Sequence, residues 1–254
     1  MSADPAIIPL ANLALTLLPV AIVLVVLLRW SLQAGTALYS VARMALQLAV
    51  IGFLLDAIFN SSSHWMVVLV LLVMVVAASW IALGTVEQQR SRLFGHAFAA
   101  IALCGGGVLW LVVVPVLGEE SLFQPRVVIP LAGMIFAGAM NAISLAADRF
   151  QAELNSGESS LSARNAAMHT AMIPVINSMF AVGLVSLPGM MTGQILSGVS
   201  PLIAVRYQVV VMCMLFGGSG MSTALFLQLA RPTLVAMPQA GDSENAGHEE
   251  ATET

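Results

Sequence analysis

The chain has 254 residues, 59% of them hydrophobic and 9% charged, with a formal net charge of −4. Soluble domains carry about 25% charged residues, so this composition excludes an ordinary soluble enzyme, a disordered chain and a nucleic-acid binder. All nine basic residues are Arg, and the absence of Lys excludes a Walker A phosphate loop, a Schiff base and a Ser–Lys dyad.

About 20 apolar residues in a helix cross a bilayer core of about 30 Å. Seven stretches are long enough: 9–28, 38–59, 65–86, 97–117, 127–147, 171–196 and 204–229. A membrane β-barrel would show alternating segments of about ten residues, a pattern the sequence lacks. The expected fold is all-α, a polytopic membrane protein of about seven transmembrane helices forming one domain over 1–231. The first run follows Asp4 and no Arg. A secretory signal has a basic start, so this run is expected to remain as a span. Arg29, Arg90, Arg92, Arg149, Arg164 and Arg231 fall on one side of a seven-span arrangement, and Arg126 on the other beside Glu119 and Glu120. The positive-inside rule then places the N-terminus outside and the C-terminus in the cytoplasm, as a multi-pass protein of the bacterial inner membrane.

In chain order, the second span places Thr36, Ser40, Arg43 and Gln47 on one helical face. An Arg inside a membrane faces a partner or a wet cavity, or else it reaches back to the interface; both readings of Arg43 stand. Asp56 lies near the outer end of the same span. Cys104 and Cys213 have no Cys or His at ligand spacing and are read as small buried hydrophobes. The fifth span carries GMIFAGAMNAISL, Gly133–Leu145. Its small pair Gly133 and Ala137, with Asn141 on the same face, suits close helix packing and an interhelical hydrogen bond, or contact with a substrate.

The only sizeable connection, 148–170, is expected in the cytoplasm, and its part from Ser160 to His169 has helical spacing. The sixth span begins with Pro174 and Asn177 and continues as GLVSLPGMMTGQIL, Gly183–Leu196. Pro188-Gly189 should kink or break a helix there and free backbone carbonyls, a feature of translocation pathways. Met190 and Met191 offer soft thioethers to a metal or fill gaps in packing. The seventh span opens with SPLIAVRYQ, Ser200–Gln208, where Arg206, Tyr207 and Gln208 are expected at the outer interface. Further on, Gly217-Gly218-Ser219-Gly220 spells the GxSG of rhomboid-type serine proteases. That chemistry needs a His beside the serine, and the four His are expected in loops or the tail, so small-residue packing is the reading of this site. From 232 to 254 the chain is polar and acidic, without periodicity, and is expected to be disordered.

The strings GLVSLPGMMTGQIL and SPLIAVRYQ closely resemble the signature of the FetB-like permeases, membrane subunits of ABC transporters. Arg43 with Gln47-Leu48, Gly133-Met134 with Asn141, and Ile173-Pro174 with Asn177 match as well. The resemblance implies a homodimeric permease driven by a separate ATP-binding subunit that holds ATP and Mg, with export of a metal ion, iron in a bacterial relative. It implies a pathway drawn from Arg43, Gln47, Asn141, Asn177, Pro188, Gly189, Met190, Met191 and Gln194. Docking of the ATPase is expected at Ser160, Leu161, Ala163, Arg164 and Ala167. One departure stands out. Many relatives carry a Gly-centred apolar stretch in this connection, where this chain has polar QAELNSGESS, Gln151–Ser160. Two other readings compete: a stand-alone carrier or channel using Arg43 and Asp56, and an intramembrane hydrolase using Ser219. No catalytic residue or metal-ligand set is assigned from the sequence.

Overall fold

A computed structural model describes residues 9–59, 64–86, 89–118 and 123–236. Its elements are helical throughout, with no strand among the described residues beyond one isolated bridge between Val182 and Ser186. The protein is an all-α, multi-pass membrane protein. Six helical segments are long and apolar enough to cross a bilayer: Asn12–Arg29, Ala34–Leu55, His64–Ala82, Arg90–Val116, Pro125–Asn155 and Pro201–Val235. The chain divides into two compact units, Met1–Ser62 and Ser63–Thr254.

The first unit holds α1 (Leu10–Leu15), α2 (Leu17–Arg29) and α3 (Ala34–Phe59). Thr16 separates the first two and donates from Oγ1 to the Leu13 carbonyl at 2.6 Å. In α3 the polar residues of the face read from the sequence bond locally. Ser40 Oγ donates to the Thr36 carbonyl at 2.8 Å, and Thr36 Oγ1 to Gln33 Oε1 at 3.3 Å. Local satisfaction of this kind lets hydroxyls sit in an apolar helix without a tertiary partner. Arg43 and Gln47 are both exposed. The Asp56 side chain lies outside the described residues.

In the second unit, α4 is His64–Ala82, and α5 (Arg90–Ala100) leads through a π turn at Ile101–Gly105 into α6 (Gly106–Leu111). A second π turn at Val112–Val116 contains Pro115. A proline lacks the N–H and crowds the carbonyl one turn back, and a widened turn relieves both. Arg90 closes the α4–α5 connection: its guanidinium lies 4.1 Å from the centre of the Trp80 ring and donates through Nε to the Trp80 carbonyl at 2.8 Å.

Helix α7 (Pro125–Asn155) is the centre of this unit, touching α4, α8 (Ser160–Ala181) and α10 (Pro201–Val235). Its buried side chains include Val128, Ala132, Ile135, Ala139, Ala142, Ala146 and Phe150, a stripe at three- and four-residue steps. At 1.5 Å per residue, α7 is about 46 Å long, more than a bilayer core of about 30 Å needs. The expected long connection 148–170 is therefore no loop. Residues through Asn155 continue α7, residues from Ser160 begin α8, and only four residues join them.

That turn is built by two local devices. Gly157, with φ +83°, ends α7, its N–H bonding the Leu154 carbonyl at 3.0 Å while the Glu158 N–H bonds that of Glu153 at 3.1 Å. Ser159 then caps α8, its Oγ accepting from the Ser162 N–H at 3.2 Å. The hairpin end is tied to α10 by Arg231, which donates to Ser160 Oγ from Nε at 3.0 Å and Nη2 at 2.8 Å.

The stretch expected as one span, 171–196, is divided. Pro174 and Asn177 do not open a helix but lie inside α8, which ends at Ala181; α9 (Gly189–Leu196) is a separate short helix. The break comes a turn or more before Pro188-Gly189, because Gly183 takes φ +82°. The freed Ala181 carbonyl accepts from the N–H groups of Leu184, Val185 and Ser186. Pro188 is the N-cap of α9, with extended backbone. Helix α10 runs past Pro232 to Val235, so the expected tail begins later than 232, and 237–254 lie outside the described residues.

Candidate translocation cavity

A cavity of about 450 Å³ opens among α7, α8, the break, α9 and α10. Helix α7 lines it with Met134, Gly138, Asn141 and Leu145, spaced so that one face of the helix borders it. Helix α8 contributes Pro174 and Ser178, the break Ser186 and Pro188, and α9 Gly189 and Met190. From α10 come Gln208, Met212 and Ser219. All lining residues belong to the second unit.

Of the pathway residues expected from sequence, Asn141, Pro188, Gly189 and Met190 meet in this cavity. Met191 and Gln194 are half-buried in α9 and Asn177 is exposed on α8, none of them lining it. Arg43 and Gln47 lie in the first unit. Sequence reasoning missed Gln208. Expected at the outer interface, it is instead 5% exposed, and its Oε1 is buried without a hydrogen-bond partner. The SPLIAVRYQ string held this residue, but hydropathy alone does not say which face of a helix a glutamine occupies.

Close packing of α7 on α10 depends on glycines. A Cβ on Gly138 would lie 2.9 Å from Ser219 Oγ, and one on Gly218 would lie 2.9 Å from Ile135 Cγ2. This agrees with the small-residue reading of the GGSG stretch, whereas Ala137, expected at the contact, is exposed. The close approach falls at Gly138, one residue on, because the buried stripe runs 135–139–142 rather than through Ala137. The histidines are not confined to loops or tail, as expected. His96 is within α5 with Nδ1 buried and unpartnered, His169 is within α8, and His64 begins α4. None of the three lines the cavity beside Ser219. Cys213, expected buried, is exposed, and Cys104 is half-buried; on a lipid-facing helix a small apolar thiol needs no burial.

At the hairpin end, Leu161 is 52% exposed and Arg164 half-buried, bonding its neighbour Asn165 Oδ1. Ala163 and Ala167, expected in an ATPase contact, are instead fully buried. Their methyl side chains let α8 lie close to its neighbours, which removes them from any docking surface. Among the described residues no group of three or more His, Cys, Asp or Glu is placed to hold a metal ion.

The model of the Uncharacterised protein family (UPF0014) matches residues 10–235. The chain belongs to this family. Its relatives include a UPF0014 membrane protein of Synechocystis, 33% identical over 74% of this chain and 79% of the relative. The protein ALUMINUM SENSITIVE 3 of Arabidopsis thaliana is 35% identical over 84% of both chains. The probable iron export permease protein FetB of Escherichia coli is 34% identical over 74% of this chain and 77% of the relative. No solved structure matches the chain. Together with the apolar helices, the family makes this UPF0014 chain a multi-pass membrane protein.

Proposed function

We propose that this chain is the permease subunit of an ABC-type exporter of a metal ion, with two copies forming the pathway and a separate subunit hydrolysing ATP with Mg. The observation that carries the reading is the α7–α8 hairpin. Its two helices run without interruption from a four-residue end to the cavity, where α7 supplies Asn141 and α8 supplies Ser178. A hairpin of that kind is a lever on which a motor can act. These 254 residues hold no Lys and so no Walker A loop, which supports a motor on a separate subunit. The relative named as an iron export permease supports metal as cargo and export as direction. Arg149, Arg164 and Arg231 lie toward the hairpin end of the second unit, which supports a cytoplasmic placement of that end.

The test is purification of the chain from its native membrane in mild detergent. An ATPase subunit is expected to co-purify, and to be lost when Leu161 and Arg164 are replaced together by Glu. Metal flux in vesicles that hold this chain and neither ATP nor an ATPase would overturn the proposal.

A further inference from the structure

We propose that the cavity recognises a small oxyanion that also carries a hydroxyl group, the N-terminus of α9 holding the oxyanion and Gln208 the hydroxyl. The inference deepens the transport reading and rests on it, the ligand being the solute that is moved.

Two independent observations converge. The first is the start of α9. Pro188, Gly189 and Met190 line the cavity, and the first amide to bond within the helix is that of Thr192, to the Pro188 carbonyl at 3.0 Å. The amides of Gly189, Met190 and Met191 precede it, and no side chain caps this end. Such amides carry the positive end of the helix dipole and bind oxyanions. A Cβ on Gly189 would meet nothing within 4 Å, so the backbone here is open to a ligand.

The second is Gln208. It is 95% buried from α10 against the same cavity, and its amide oxygen has no donor. Leaving such an oxygen dry is costly, and a ligand hydroxyl would satisfy it. Asn141 offers a second amide from α7. The lining contains no Asp, Glu, His, Lys or Arg. A bare divalent cation would thus meet the positive end of a helix with no carboxylate to offset it, while an anion meets favourable dipoles. The volume of about 450 Å³ far exceeds the roughly 30 Å³ of one water. A metal passing this point would travel inside a complex whose own oxygens face the protein.

Hydroxycarboxylates and hydroxyl-bearing phosphate esters share this chemistry, and binding to the full chain in lipid nanodiscs separates them. The probes are citrate, tricarballylate (the same carboxylates without the hydroxyl), glycerol 3-phosphate and Fe²⁺ alone, each titrated calorimetrically. Citrate or glycerol 3-phosphate is expected to bind, the tighter of the two naming the class. Tricarballylate is expected to bind about tenfold more weakly than citrate, the loss of one hydrogen bond. Gln208→Met keeps the shape and should bring citrate down to the tricarballylate level without lowering the melting temperature of the empty protein. Gln208→Glu should weaken every oxyanion. The proposal is overturned if neither oxyanion binds, if citrate binds and tricarballylate matches it, or if Fe²⁺ alone binds in a Gln208-dependent way. Oxyanion binding without ATP-driven flux would instead remove the transporter reading and leave the site standing; flux without oxyanion binding would do the reverse.

Discussion

Two glycines decide how closely α7 and α10 approach. Lipid tails are as apolar as the side chains they would replace, so packing in a membrane rests on van der Waals fit rather than on expulsion of water. A methyl on Gly218 would sit 2.9 Å from Ile135 Cγ2, on a fully buried and β-branched side chain with nowhere to go. A methyl on Gly138 would meet Ser219 Oγ at the same distance, but that hydroxyl can turn away by one rotamer. Gly218→Ala is therefore expected to cost about 1–3 kcal/mol, the usual range for overpacking, and Gly138→Ala less. Adding Ile135→Ala to Gly218→Ala should recover part of the loss, since it removes the colliding carbon. Thermal unfolding in detergent, followed by loss of the monodisperse peak, reads the wild type, the three single variants including Ile135→Ala, and the double variant. Equal losses at the two glycines, or strict additivity with Ile135→Ala, would contradict this account.

Among the elements, the divided stretch 171–196 carries the strongest consequence. Replacing Pro188 and Gly189 together by Ala restores a backbone donor and puts a methyl into the space beside the α9 amides, so α9 is free to extend toward Gly183. Membrane insertion should persist, because Leu184 to Leu196 stays apolar, while solute flux falls severalfold. Cysteine-accessibility mapping checks insertion and vesicle uptake checks flux; unchanged flux would separate the break from the pathway. The break was legible in the sequence because Pro-Gly inside an apolar run has few alternatives. Its position was not, since Gly183 ends α8 by taking a positive φ, and a glycine announces that freedom without announcing its use. The spans themselves were legible wherever twenty apolar residues ran together. Helix α8 was legible only in part: Ser160 to His169 showed helical spacing, but those residues are polar enough to read as a connection, so their continuity with the following apolar run was not legible. Gln208 escaped for a similar reason: composition tells how apolar a helix is, whereas the side that meets a cavity depends on neighbours distant in sequence.

For the whole molecule, the motor proposed above would have to reach from outside the membrane to a cavity within it. Helix α7 joins the hairpin end to Asn141, α8 joins it to Ser178, and α10 joins Arg231 to Ser219 and Gln208. Only the first two are linked by a short covalent turn; the third packs against both and is tied to the hairpin end by the paired hydrogen bonds from Arg231 to Ser160. Packing and that pair together make the three walls of the cavity follow a push on the hairpin. Under the proposed function, loss of the pair loosens α10 at the hairpin end, and more ATP would be spent per solute moved. Arg231→Gln and Ser160→Ala should each leave assembly with the ATPase intact yet raise the ATP hydrolysed per solute exported. If the two side chains act only through each other, the double variant should be no worse than either single one. The ratio is measured in proteoliposomes by counting phosphate released against solute moved. A double variant whose defect equals the sum of the singles would mean that Arg231 and Ser160 act on separate partners, and the coupling of α10 to the hairpin would then rest on its packing against α7 and α8.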